Sequence, residues 1–406
     1  MITDWPYEFP GAYWLDEKEE EAVLDVLRRR TLFRHYGPDK PRYVLRFEEE
    51  ARKFYGVKYA LAVNSGTGAL ATALQAMGTG PGDEVIMPAF MWISTASTVV
   101  HQNAIPVICE IDDSFTMDPE DLEKKITPRT RLILPVHMAG VPSNMAAIME
   151  VARRHAIPVL EDVAQANGGT FQGCKLGTFG DMGIFSLQTN KNMTAGEGGL
   201  VVTNDRILYE RAFAGHDMGY LYVDGKSLIP PPHAVMWPAG RRMAEVLGAI
   251  ASVQITKLPR IIEHMRASKK RMKEMLSGTP GLTFRRLNDP QGDTGPFLII
   301  LLEDEGKALR AAYRMKESGL HNIWRLAEYK YHIYCNIPAL VEKTPLSPAG
   351  NPWNLEANRE SVYDYGKGAC PRSDELFARG ILIPVPSCLT EEQEKGAAEA
   401  IKEAAG

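Results

Sequence analysis

Cysteine is scarce and scattered. Cys109, Cys174, Cys335, Cys370 and Cys388 are the only five in 406 residues, and no two form C-x-x-C. An odd number without paired spacing excludes a disulfide framework and a thiolate zinc cluster. A reducing cytoplasm is therefore the expected compartment, and no metal site is expected. Positive charge is not in excess. Lys and Arg number 46 against 51 Asp and Glu, a net charge of −5, so no nucleic-acid partner is expected. No apolar run approaches the roughly 18 residues that span a bilayer, so no membrane partner is expected. The opening residues, MITDWPYEFPGAYWLDEKEE, lack the basic and apolar regions of a secretory signal. Internal repeats, low-complexity tracts and the P-loop pattern G-x-x-x-x-G-K-S/T are absent as well.

What remains is an ordinary globular composition, 45% hydrophobic and 24% charged. At roughly 150 residues per domain, the length suggests two to three domains. Apolar stripes predict helices over 17–30 and 44–55. A rhythm then sets in. Short Val/Ile/Leu-rich runs at 59–63, 84–87, 105–111, 131–136, 157–160, 182–187 and 199–203 alternate with helix-like stretches at 66–77, 94–102, 119–126 and 143–155. That alternation argues for an α/β architecture with a mostly parallel, seven-stranded sheet covered on both faces. Residues 206–240 read as irregular, around Pro230-Pro-Pro232. A long helix is predicted over 241–278, with a break at Pro259. Strands at 282–287, 296–302 and 376–385, a helix at 305–318 and a capped helix at 390–404 predict a smaller α+β C-terminal domain. The division adopted is 1–250 for the arm and large domain, and 251–406 for the long helix and small domain.

In an open parallel sheet, ligands bind beyond the carboxyl ends of the strands. The segments after the predicted strands carry unusual chemistry. Ser65-Gly66-Thr67 enters a helix, either as a phosphate cradle or as a plain N-cap. Asp162 follows an apolar strand, either as partner to a buried cation or ring nitrogen, or as a cap. Lys191 lies between a strand and a glycine-rich turn, either as a Schiff-base nucleophile or as a surface lysine. His137 reads as catalytic or as a satisfied structural histidine. Trp92 reads as a stacking platform or as core. A cradle, an acid, a flat surface and a lysine together fit one ligand, pyridoxal 5'-phosphate.

Five segments resemble one family in order: AVNSGTGAL (62–70), GDEVIMPAF (82–90), ITPRTRLILPVHMAG (126–140), PVLEDVAQANGG (158–169) and FSLQTNKNMTAGEGGLVVTND (185–205). The chain resembles the DegT/DnrJ/StrS sugar and cyclitol aminotransferases, of fold type I. The resemblance implies a Schiff base at Lys191, a ring-nitrogen partner at Asp162 and a ring-hydroxyl neighbour at Gln165. It implies phosphate contacts at Gly66, Thr67 and Ser186, and ring stacking at Trp92. It implies a homodimer with shared sites. An asparagine frequent in the family is replaced by Gly240, so Arg241 or Arg242 is expected to supply charge to the neighbouring subunit's site, and His137 is kept as a substrate candidate. The expected activity is ping-pong transfer of an amino group from glutamate or glutamine to a keto sugar, keto cyclitol or related polyhydroxy ketone. Two alternatives stand beside it: a dehydratase or aromatising synthase of the 3-amino-5-hydroxybenzoate type, and a non-catalytic cofactor-binding regulator or partner subunit. Residues 185–199 are similar to the cyclitol and aminohydroxybenzoate branch, whereas LNDPQGDTGPFL (287–298) is similar to octulosonate-type transaminases.

Overall fold

A computed structural model describes residues 5–223 and 226–406. Its centre is a sheet of strands β1 (Tyr59–Val63), β2 (Glu84–Pro88), β3 (Ile105–Cys109), β4 (Thr130–Ile133), β5 (Leu160–Asp162), β6 (Met182–Ser186) and β7 (Gly199–Thr203). Hydrogen-bonded ladders join β1-β7-β6-β5 and β3-β2-β4. The bridges Ile133–Val159 and Val136–Asp162 lay β4 alongside β5. The resulting order is β1-β7-β6-β5-β4-β2-β3, and only β7 runs antiparallel to its neighbours. Strands β2, β3, β6 and β7 are buried along their whole length, as a sheet covered on both faces requires.

The covering helices are α1 (Glu17–Arg29), α2 (Tyr43–Tyr55), α3 (Gly66–Ala76), α4 (Ile93–His101), α5 (Pro119–Lys125), α6 (Met145–His155), α7 (Arg206–His216) and α8 (Glu245–Leu276). Three expectations are corrected here. The stretch expected to be irregular begins with helix α7, capped by Asp205, and continues into a hairpin of Leu221–Val223 with Lys226–Leu228. Helix α8 is not broken at Pro259. Packing against α1 and α2 on one side and the last helix on the other outweighs the one hydrogen bond that proline removes. The fifth strand starts at Leu160 rather than at 157.

The small domain has an antiparallel sheet of β8 (Thr283–Phe284), β9 (Phe297–Leu301), β10 (Trp324–Arg325) and β11 (Gly380–Pro384), in the order β8-β9-β11-β10. Helices α9 (Glu305–Glu317) and α12 (Glu391–Ala405) and the end of α8 close one face, around Met272, Ile300, Met315, Ile383 and Ile401. The strand expected over 376–385 is half helix. Helix α11 (Pro371–Arg379) precedes β11, because Pro371 at its first turn favours a helix start. The Thr390–Gln393 capping box forms as expected. Two features cross position 250. Helix α8 runs through it, and the segment 326–370, short helical turns including α10 (Pro338–Val341), packs back on the large domain through Tyr334, Ile337 and Tyr365.

Glu245 shows how the parts are tied. Its buried carboxylate accepts from the backbone N–H groups of Arg42 (2.9 Å), Tyr43 (2.8 Å) and Val44 (3.1 Å). A residue opening α8 thus caps α2, whose own N-cap side chain makes no cap bond. Glu245→Ala should destabilise the protein by about 2 kcal/mol. The check is a lower urea midpoint, with the Glu245→Gln variant in between.

Candidate active site

Beyond the carboxyl ends of β1, β2, β4, β5 and β6 lies a cavity of about 350 Å³. Gly66, Thr67, Trp92, Asp162, Gln165, Ser186 and Lys191 all line it. Seven residues expected from separate segments are therefore brought to one place.

Asp162 ends β5 and is buried. Its carboxylate accepts from the Thr95 hydroxyl and the Ala164 N–H, both at 3.0 Å. Burial raises its pKa, and those two hydrogen bonds and the Lys191 charge oppose the rise. No lysine, arginine or histidine among the described residues forms an ion pair with it. Lys191 faces it from the turn after β6, where its N–H bonds the Gln188 carbonyl at 2.9 Å. Burial pushes the Lys191 ammonium below its ordinary pKa, against the pull of Asp162 and Glu8.

Helix α3 starts at the opposite wall. Ser65 caps it by accepting from Gly68 N–H at 2.9 Å. The N–H groups of Gly66 and Thr67 have no intrahelical acceptor at that position. A Cβ on Gly66 would lie 2.7 Å from Ser186 Cβ and 2.8 Å from its Oγ. Glycine is thus what lets the Ser186 hydroxyl approach the helix start, where an anion is favoured. The Gln165 side-chain carbonyl oxygen accepts from Ala139 N–H at 2.9 Å, which leaves its amide NH₂ for the cavity that the residue lines. Trp92 is 43% exposed and stands 4.7 Å, ring to ring, from His332.

Three candidates fall elsewhere. His137 is wholly buried outside the cavity. Its Nδ1 accepts from Ser143 N–H at 3.0 Å, so its Nε2–H points to Glu161 at 3.2 Å. It is a satisfied structural histidine, not a substrate ligand. Arg242 bonds Asp217 at 2.8 Å and lies over the Phe33 ring, so its charge is paired within its own chain. Arg241 reaches Gln75 at 3.2 Å and has no acidic partner among the described residues, but it does not line this chain's cavity. Gly240, at φ 63°, makes the bend between them and the preceding loop.

Sequence reasoning missed Thr95, Glu8 and His332. Thr95 lies three residues past Trp92, one helical turn into α4, and that spacing could have found it. Glu8 and His332 carry no local signal. Glu8 reaches the site from the irregular N-terminal strap, and His332 from a single 3-10 turn, Lys330–His332.

The residues fit pyridoxal phosphate. They supply a buried carboxylate with no ion-pair partner among the described residues for a ring cation, a desolvated amine and an anion cradle that a side chain on Gly66 would fill. The single antiparallel strand, the site at the sheet's carboxyl edge and the small C-terminal domain define the class: a fold type I pyridoxal-phosphate enzyme. A solved 3-amino-5-hydroxybenzoic acid synthase superposes with a TM-score of 0.80 at 26% identity, covering 100% of this chain and 98% of that one. The Helicobacter pylori aminotransferase PseC shares the fold, with a TM-score of 0.78 over 99% of both chains at 22% identity.

Residues 14–322 match the model of the DegT/DnrJ/EryC1/StrS aminotransferase family, and the chain belongs to that family. It is a pyridoxal-phosphate-dependent aminotransferase. GDP-perosamine synthase of Caulobacter vibrioides is 37% identical over 66% of this chain and 69% of its own length. L-glutamine:2-deoxy-scyllo-inosose aminotransferase of Streptomyces fradiae is 37% identical over 67% of this chain, and the match spans 64% of that relative. 3-Amino-5-hydroxybenzoate synthase of Amycolatopsis mediterranei is 31% identical over 91% of this chain and 90% of its own. No helix among the described residues is long and apolar enough to cross a membrane.

The neighbour of Asp162 has a different duty. Glu161 accepts from the N–H groups of Gly177 (2.8 Å), Phe179 (2.7 Å) and Gly180 (2.9 Å), besides His137. Glu161→Ala would strand these donors in the core. A loss of about 3 kcal/mol is expected. Thermal unfolding would register it, and His137→Asn should cost less because two bonds are lost rather than four.

Proposed function

We propose that this enzyme transfers an amino group from glutamate or glutamine to a keto sugar, keto cyclitol or related polyhydroxy ketone, by a ping-pong cycle. The observation that carries the reading is the meeting of Lys191 and Asp162 in one cavity opposite the α3 cradle. Relatives named for GDP-perosamine and for inosose amination support the ketone class.

Pyridoxal phosphate, when bound, supplies an electron-sink ring and a carbonyl that exchanges amines. Gly66 and Thr67 N–H groups and the Ser186 hydroxyl would hold its phosphate. Asp162 would keep the ring nitrogen protonated, with Thr95 and Ala164 fixing the carboxylate. The Gln165 NH₂ would meet the ring hydroxyl, and Trp92 would cover a ring face. Desolvation lowers the Lys191 ammonium pKa and so favours loss of its proton, which suits Lys191 Nζ to take the donor Cα proton and return it.

An aromatising synthase is the second reading, supported by the aminohydroxybenzoate relative that matches almost end to end. The deciding experiment uses ¹⁵N-labelled glutamate and glutamine with a panel of polyhydroxy ketones, read by product mass. A labelled amine at the parent ketone's skeleton is expected; a product lighter by water would favour the synthase. Lys191→Ala should abolish transfer, and Asp162→Asn should slow it by about a hundredfold or more. Near-normal transfer by Lys191→Ala would overturn the roles given to these residues.

The proposal includes a homodimer in which each site draws on both chains. Its support is Arg241, a half-buried guanidinium with no acid partner among the described residues and a pKa lowered by burial. Lys191→Ala and Arg241→Ala, each inactive alone, should regain activity when their subunits are exchanged. A mixed dimer then has one site with both lesions and one with neither. Exchange verified by mass without recovered activity would mean that Arg241 serves its own chain.

A further inference from the structure

Beside the main cavity lies a smaller one of about 60 Å³, and the two share Gln165, Asn190, Lys191 and His332 as walls. Glu8 closes it from the N-terminal strap, and Tyr329 and Phe297 close it from the small domain. The strap is well anchored. Gly11 N–H bonds the Lys191 carbonyl at 3.0 Å, and the Ser387 hydroxyl bonds the Pro10 carbonyl at 2.7 Å.

Two polar atoms in this space lack partners among the described residues: Glu8 Oε2 and His332 Nδ1, both buried. The other Glu8 oxygen makes one long bond, 3.5 Å from Asn190 Nδ2. His332 cannot turn away freely. Its ring stacks on Tyr329 at 4.0 Å and 5°, and its carbonyl accepts from Met91 N–H at 2.9 Å. Buried polar groups are satisfied in folded proteins unless something else completes them. Here both residues line the same small cavity as the reacting lysine.

We propose that Glu8 and His332 form a hydroxyl-recognising subsite beside Lys191 that selects an uncharged polyhydroxy ketone over a phosphorylated one. This rests on the aminotransferase reading above. Hydroxyl groups both donate and accept, so they match a carboxyl oxygen and an imidazole nitrogen together. A phosphate only accepts, and it would meet the carboxyl group of Glu8 at close range. Burial pushes Glu8 up to about 7, opposed first by Lys191. Burial, aided by the Lys191 charge, pushes His332 down to about 3, so its imidazole is neutral and offers an anion no charge. Among the described residues no arginine lines either cavity. The space suits a hydroxymethyl group or the hydroxyl-bearing edge of a ring.

The test uses the cofactor-loaded enzyme, Glu8→Gln and His332→Phe; phenylalanine keeps the stack on Tyr329 and removes the nitrogen. Calorimetric titration with scyllo-inositol, which cannot react, reads the subsite without turnover. Each variant should bind it about tenfold more weakly or worse, because a buried partner is lost. Turnover is then compared on scyllo-inosose and fructose 6-phosphate, with cofactor absorbance and unfolding midpoint verifying intact protein. Glu8→Gln should shift the ratio of kcat/KM values toward the phosphorylated ketone. Equal scyllo-inositol affinity in all three proteins, or an unchanged ratio, overturns the proposal. Polyol binding that depends on both residues, in a protein that transfers no amine, would uphold the subsite and defeat the aminotransferase reading.

Discussion

Strand β5 ends in two buried carboxylates, Glu161 and Asp162, and the rest of the site is arranged around the cost of burying them. A lone carboxylate in a protein interior costs several kcal/mol unless hydrogen bonds or a counter-charge compensate it. Successive residues of a strand point to opposite faces, so the pair is split between two environments. Glu161 faces the packed side and is satisfied by three backbone N–H groups and His137. Asp162 faces the cavity with two donors and no cation paired to it among the described residues. One carboxylate is spent on the fold. The other is left at the cavity wall without a paired cation.

The same division between used and unused polar groups runs through the neighbourhood. Ser65 and Arg242 resemble ligand-binding residues on paper, but the first caps α3 and the second pairs with Asp217. Ser186, by contrast, is brought against Gly66 with its hydroxyl at the cavity. The lysine loop is held from behind by the N-terminal strap through Gly11. The segment 326–370 seals the front, adding Ile333 beside Phe90 and placing His332 against Trp92. Segments from both ends of the chain thus finish a site that the parallel sheet only begins.

Strand rhythm, the long helix, the capped last helix and the positions of Gly66, Thr67, Trp92, Asp162, Gln165, Ser186 and Lys191 were legible before any coordinates. The reason is physical. Burial of both sheet faces forces continuous apolar runs, and ligand chemistry in such a sheet gathers just after them, so local order along the chain already encodes place. Helix α7 escaped because its apolar residues are interrupted by charges that find partners in distant parts of the fold, such as Arg211 with the Ala76 carbonyl and Glu210 with His233. The continuity of α8 through Pro259 is likewise a matter of packing, which local propensity does not contain. Whether His137, Arg241, Arg242 and Glu245 bind a ligand or hold the fold depends on which hydrogen-bond partners stand nearby. Those partners, Glu161, Gln75, Asp217 and the backbone N–H groups of Arg42 to Val44, lie 24 to 203 residues away along the chain. Glu8 and His332 are the extreme case. Nothing in their own segments marks them, and only the folding of a strap and an insertion against Lys191 gives them a place in the site.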